Sequence, residues 1–186
     1  PAYYKYGDVE VIEFYSKIID AVPNSKIILY NFEKLCGYKF SIECVEKLVK
    51  KYPVQIIGVK DSSYNLYKHL KIDNFSVLPG SESKLLEGLE LGCDGIITAT
   101  CNVTANLSRK VYEDFIKNEP QTKNELLCDV RSAFDQFNLI SGLHSLMSDE
   151  DEIYKNVVPP VSLLREKDKN KLKEDLKKLN FEIDKL

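Results

Sequence analysis

Two residues stand where chemistry is most easily done. Tyr30 closes the apolar run Lys26-Ile-Ile-Leu-Tyr-Asn31, and Lys60 closes the run Gln55-Ile-Ile-Gly-Val-Lys60. Short apolar runs of this kind are β-strand patterns, and the carboxyl ends of parallel strands are where α/β folds collect functional side chains. The other residues at such ends are Asn31, Asp61-Ser62, Gly80-Ser81 and Thr98. An amine held in the low-dielectric mouth of a sheet gives up its proton more readily and becomes a nucleophile near neutral pH. It can then condense with a ketone to a Schiff base, an electron sink for cleaving a carbon–carbon bond. A phenol one strand earlier can shuttle the protons. Plainer roles remain open on pattern alone: a lysine reaching solvent at a sheet edge, and a packed tyrosine with a satisfied hydroxyl.

The elements that must position these residues repeat through the first 120 positions. Apolar runs occur at Lys26–Asn31, Gln55–Lys60, Phe75–Leu78 and Gly95–Thr98. They lack polar alternation, which predicts strands buried on both faces. Between them lie periodic segments at Ser41–Lys51, Tyr64–Leu70, Ser81–Leu91 and Ala105–Lys117, so βα units and a parallel sheet are expected. Ser41 and Ser81 stand at helix starts and Gly92 at a left-handed helix end. Asp8–Ala21 predicts a further helix with Val9, Ile12, Tyr15, Ile18 and Ile19 on one face. Beyond position 120 only helices are expected, at Asn124–Leu139 and Lys167–Leu179.

Composition narrows the function classes. The chain has 186 residues, 44% of them apolar, with 26 basic against 29 acidic side chains. That balance leaves no electrostatic footprint for nucleic acid, and the lysine-rich final helix, interleaved with Glu174 and Asp175, reads as a solvated face. No apolar run approaches the roughly 18 residues of a membrane span. Five scattered cysteines without a C-x-x-C pair predict reduced thiols and a cytoplasmic protein. His69 and His144 have no second ligand at metal spacing, so no zinc site is expected.

Two architectures accept these elements: an open doubly wound sheet or a (β/α)₈ barrel. The chain has neither G-x-G-x-x-G nor G-x-x-x-x-G-K, which disfavours a nucleotide-binding open sheet. A barrel normally takes about 250 residues, so four strands and a terminal stub amount to roughly half of one.

Leu29-Tyr30-Asn31 followed by Ile57-Gly-Val-Lys60-Asp61-Ser62 resembles the dihydrodipicolinate synthase and N-acetylneuraminate lyase family. The resemblance extends through Pro1-Ala-Tyr3-Tyr4, Pro79-Gly80-Ser81, Gly95-Ile-Ile-Thr-Ala-Thr-Cys-Asn102 and Pro159-Pro160, essentially the whole chain. It implies an α/β (β/α)₈ barrel represented here by its second half, from the end of strand four to strand eight. Residues 1–118 would be barrel and 119–186 a C-terminal helical extension. It implies a class I aldolase or lyase using or releasing pyruvate, without metal or cofactor, as a homo-oligomer (tetramer or dimer). Lys60 would form the Schiff base and Tyr30 shuttle protons. Tyr4 would be the second tyrosine, reaching a neighbouring subunit's site, and Ser62, Gly80, Ser81 and Ile97 would line the substrate pocket. The family's carboxylate-binding Gly-Thr-Thr-Gly-Glu-like segment has no counterpart. About 110 further upstream residues, in a chain of about 290 to 300, are therefore expected to complete the barrel.

Departures bear on the substrate. Glu33 follows Phe32 where the family has a proline turn, and Leu35 replaces the arginine that marks dihydrodipicolinate synthases. Sialic acid lyases also favour leucine there, but their acidic pair is reduced to Glu82-Ser83. Lys60-Asp61-Ser62 is most similar to the Lys-Asp-Thr of 2-keto-3-deoxygluconate aldolases. A 2-keto-3-deoxy sugar acid, cleaved to pyruvate and an aldehyde, is accordingly the expected substrate. Dihydrodipicolinate synthase or N-acetylneuraminate lyase activity is the alternative within the family. A non-catalytic keto-acid-binding homologue is the alternative of another class. An adduct without turnover would mark the last.

Overall fold

The structure, a computed structural model, describes residues 4–183. The expected strand stub at Pro1–Tyr4 falls mostly outside the described residues. The chain divides into two compact units, one up to Ile97 and one from Thr98.

The first unit opens with helix α1 (Asp8–Ala21), whose start is closed by the Gly7 amide donating to Glu10 Oε2 at 2.8 Å. Strand β1 (Ile27–Asn31) leads into the single turn α2 (Glu33–Cys36), ended by Gly37 at φ 70°. Helix α3 (Ile42–Lys51) follows, with the Ser41 hydroxyl accepting from the Cys44 amide at 3.0 Å. Strands β2 (Ile56–Asp61) and β3 (Ser76–Pro79) complete a three-stranded parallel sheet in the order β1-β2-β3. A 3₁₀ turn at Glu82–Lys84 runs into α4 (Leu85–Glu90), and Gly92 beyond it takes φ +85°.

Burial alternates along the strands, contrary to the expected two-sided burial. Leu29, Asn31, Val59, Asp61, Val77 and Pro79 are buried, whereas Ile28 and Tyr30 are exposed and Lys60, Ser76 and Leu78 partly so. The buried face packs with Val45 and Leu48 of α3 and with Leu66, Tyr67 and Leu70 in one core.

Two further expectations are corrected. Tyr64–Leu70 is not a helix: Tyr64 sits at φ 58°, and the amides of Tyr64, Leu66 and Tyr67 bond the Asp61 carboxylate instead of helical carbonyls. Gly95–Thr98 is not a regular strand. The Asp94 and Ile97 amides bond the Val77 and Pro79 carbonyls at 3.2 and 3.1 Å, but Gly95 at φ 148° breaks the ladder between them.

The second unit is helical: α5 (Cys101–Ile116), α6 (Asn124–Asp135), α7 (Leu139–Met147) and α8 (Glu166–Lys178). Helix α5 contains a non-helical residue, Thr104 at φ −125° and ψ 19°. The helix expected over Asn124–Leu139 ends at Asp135, and a further helix, not expected from the sequence, starts at Leu139, where the Asn138 side chain accepts from the Ser141 amide at 3.1 Å. Val103, Val130, Phe134, Leu146 and Leu172 form this unit's core. The charged face of α8 is ion-paired, and Lys171 beside Asp175 holds that carboxyl down at about 2.

Candidate active site

β1 and β2 pair so that Tyr30 is the direct partner of Lys60, and Lys60 in turn the partner of Leu78 on β3. Partners in a parallel ladder point to one face, so the two side chains meet. Lys60 Nζ lies 4.3 Å from the centroid of the Tyr30 ring. Tyr30 is 43% exposed and Lys60 half-buried, so the pair stays open to a ligand.

One position further along, the buried face carries a second pair. Asn31 and Asp61 are direct partners and both are fully buried. Asn31 Nδ2 donates to Asp61 Oδ1 at 2.8 Å and to Asn65 Oδ1 at 2.9 Å, while its Oδ1 accepts from the Phe40 amide at 3.1 Å. Asp61 also accepts from the amides of Tyr64, Leu66 and Tyr67 at 2.9, 2.8 and 3.0 Å. The Asn31 carbonyl takes the Ser62 and Ser63 amides at 2.9 and 3.1 Å. The sequence places Asn31 and Asp61 at strand ends but does not show that they pair. Their signal was two polar residues ending adjacent apolar strands one position after Tyr30 and Lys60.

Of the other expected residues, Ser62 and Gly80 are brought into contact. A Cβ on Gly80 would fall 2.1 Å from Ser62 Oγ and 3.0 Å from its Cβ, so only glycine permits this approach. The Gly80 amide donates to the Asp61 carbonyl at 3.0 Å. Ser81 is buried, and its hydroxyl lies 3.1 Å from that of Ser83 at the start of the 3₁₀ turn. Ile97 is 39% exposed and tied through its amide to Pro79. Tyr4 lies at the surface ahead of α1, 68% exposed. In the second unit Thr98 Oγ1 accepts from Arg131 Nη1 at 3.1 Å, with Thr100 Oγ1 3.4 Å from the same nitrogen.

A cavity of about 230 Å³ opens beside Tyr30, walled by Tyr6, Glu10, Tyr15, Tyr38 and Phe40 among others. Burial pushes the Tyr15 phenol up. The Tyr38 phenol is raised by burial and by neighbours including Asp8, to which it donates at 2.8 Å. The Ser41 hydroxyl, donating to Asp8 at 2.6 Å, holds that carboxyl below the usual range. Among the described residues no group of three or more His, Cys, Asp or Glu side chains could hold a metal ion. No helix among them is long and apolar enough to cross a membrane.

Parallel strands with a tyrosine and a lysine paired at their carboxyl ends belong to the α/β class, in which such ends carry the functional side chains. The chain belongs to the dihydrodipicolinate synthetase family, whose model matches residues 1–179. It is 30% identical over 141 residues to the N-acetylneuraminate lyase of Clostridium perfringens, covering 70% of this chain and 48% of that protein. It is 29% identical over 190 residues to the 4-hydroxy-tetrahydrodipicolinate synthase of Methanopyrus kandleri, covering 97% and 62%. Among solved structures it is similar to a family member from E. coli K12, a prophage protein in complex with pyruvate. That likeness has a TM-score of 0.79 at 23% identity and covers 97% of this chain and 64% of that one. The fold is thus that of part of a (β/α)₈ barrel. The chain spans about half the length of the curated relatives it matches.

Proposed function

We propose that this chain carries the Schiff-base half of a pyruvate-dependent class I aldolase acting on a 2-keto-3-deoxy sugar acid. The observation that supports it is Lys60 Nζ over the Tyr30 ring at adjoining strand ends, in a chain of this family. Lys60 attacks the keto carbon of the substrate, water leaves, and the imine accepts the electron pair of the breaking carbon–carbon bond. Tyr30 relays the proton between the aldehyde oxygen and solvent. Ser62, Gly80, Ser81 and Ile97 line the pocket, and Tyr4 serves a neighbouring copy in a homo-oligomer. The reaction needs no metal or organic cofactor, and the protein is cytoplasmic. In the same reading residues 1–118 are barrel, 119–186 are the helical extension, and an N-terminal half completes the sheet.

The test is pyruvate with borohydride on the full-length protein, read by intact mass and peptide mapping, alongside cleavage of 2-keto-3-deoxygluconate. A reduced adduct on Lys60 with turnover supports the reading. An adduct without turnover leaves a keto-acid-binding protein, and absence of an adduct overturns the Schiff base.

A further inference from the structure

We propose that Asp61, bonded to Asn31, is a positioning residue that sets Lys60 against Tyr30. The inference rests on the reading of Lys60 as the Schiff-base lysine. The first observation is burial: Asp61 is 0% exposed, and a carboxyl group taken out of water is costly unless its oxygens are bonded. Here four donors meet them, the Asn31 amide and three backbone amides of the loop that follows Lys60. Ion-like groups buried in this way are weak contributors to stability compared with an apolar replacement, and their better-attested use is to specify register.

Register is what the site needs. Asn31 and Asp61 are the partners next after Tyr30 and Lys60, and they point to the opposite, helix-covered face. A slip of either strand by one residue would turn that strand's side chains over, leaving Tyr30 and Lys60 on opposite faces. Apolar residues alone resist such a slip poorly at this end, because Leu29 and Ile28 are both apolar neighbours on opposite faces. The Asn31–Asp61 bond has one correct pairing. Asn31 further ties in Asn65 and the Phe40 amide, and Asn65 Nδ2 donates to the Phe40 carbonyl at 2.9 Å. The cluster therefore fixes the ends of β1 and β2, the loop after β2 and the approach to α3 as one unit directly behind the reacting pair.

The test compares full-length wild type with Asp61→Asn and Asn31→Ser. Asp61→Asn keeps shape but offers one acceptor oxygen to four donors, and Asn31→Ser leaves Asp61 its three backbone donors. Lys60 sites are counted by pyruvate–borohydride trapping, and kcat and KM are measured per trappable site, well below each variant's melting temperature. The expected result is a kcat per trappable site lower by about 10- to 100-fold in Asp61→Asn, from misplacement of reacting groups. Asn31→Ser should lose less, with KM within about threefold of wild type in both. If Asp61→Asn does not fold, Asn31→Ser decides alone. An unchanged kcat per trappable site, with only a lowered melting temperature, would make the cluster purely structural and overturn the proposal. Failure of wild type to trap pyruvate at Lys60 would instead remove the underlying assignment, and the positioning role with it.

Discussion

Lys60 Nζ stands over the face of the Tyr30 ring, 4.3 Å from its centroid, and the two residues are direct partners across the β1–β2 ladder. A cation in that position gains about 0.5–1 kcal/mol at an exposed site. The contact uses the ring face and leaves the phenol oxygen out of it, so packing and proton transfer by Tyr30 can be separated by mutation.

Lys60→Ala removes the amine, and Lys60→Arg replaces it with a guanidinium that stays protonated and is no nucleophile. Both variants should lose pyruvate trapping completely. Mapping of a borohydride adduct to another lysine in either variant would end the Lys60 assignment.

Tyr30→Phe keeps the ring and its contact with Lys60 but removes the hydroxyl. Trapping should persist while kcat drops by about 10²- to 10⁴-fold, the usual loss for a positioned acid–base group. Steady-state kinetics with an unchanged kcat would show that protons travel by another route.

Gly80→Ala forces a methyl group against Ser62, whose Cβ and Cα would lie 3.0 and 3.1 Å from it even if the hydroxyl rotated away. Overpacking of this kind costs about 1–3 kcal/mol. Denaturant melts should register that loss in Gly80→Ala and recover much of it in the double variant Ser62→Gly/Gly80→Ala. Equal losses in the single and double variants would place the strain elsewhere.

Glu87 provides a pH signature. Lys68 at 2.5 Å, with Tyr67 donating at 2.9 Å and Lys84 at 3.3 Å, draws its carboxyl down to about 2. A carboxyl whose folded-state pKa is depressed stabilises the fold above its ordinary range near 4.5 and loses that contribution as the pH falls through about 2. The melting temperature of wild type should therefore exceed that of Glu87→Gln at pH 6, and the gap should close by about pH 2. High salt should narrow it as well, since these groups are solvent-accessible. A pH-independent gap would refute the ion-pair origin.

Much of the framework was legible because its signals are local. α1 spans the expected Asp8–Ala21, Ser41 caps α3 as its side chain implied, and three strands fall within about one residue of the apolar runs. Tyr30 and Lys60 were legible for the same reason, each closing such a run. The illegible parts depend on residues distant in sequence or on a single cap. Tyr64–Leu70 has helical spacing, yet a carboxylate at the preceding strand end takes its amides. The apolar spacing runs on to Phe137, yet the helix stops at Asp135 and Asn138 caps a separate start at Leu139 through the Ser141 amide. Apolar runs cannot say which face a strand covers, so the alternation that leaves Tyr30 and Lys60 open was missed. The Asn31–Asp61 pair was invisible because its meaning lies in the cross-strand register.

The capture of loop amides by Asp61 also affects how the molecule opens. The segment after β2 is irregular, and by its turns and bends it would be counted among the mobile parts of a βα protein. Yet the Leu66 and Tyr67 amides are buried and end on a buried carboxylate, while the Leu70 amide bonds the Leu66 carbonyl at 2.8 Å. Such hydrogens exchange with solvent only when the strand end itself separates, so they belong to the slow cooperative unit of the sheet rather than to a frayed connection. The loop carrying Ser62 and Ser63 thus opens and closes on the clock of β1 and β2.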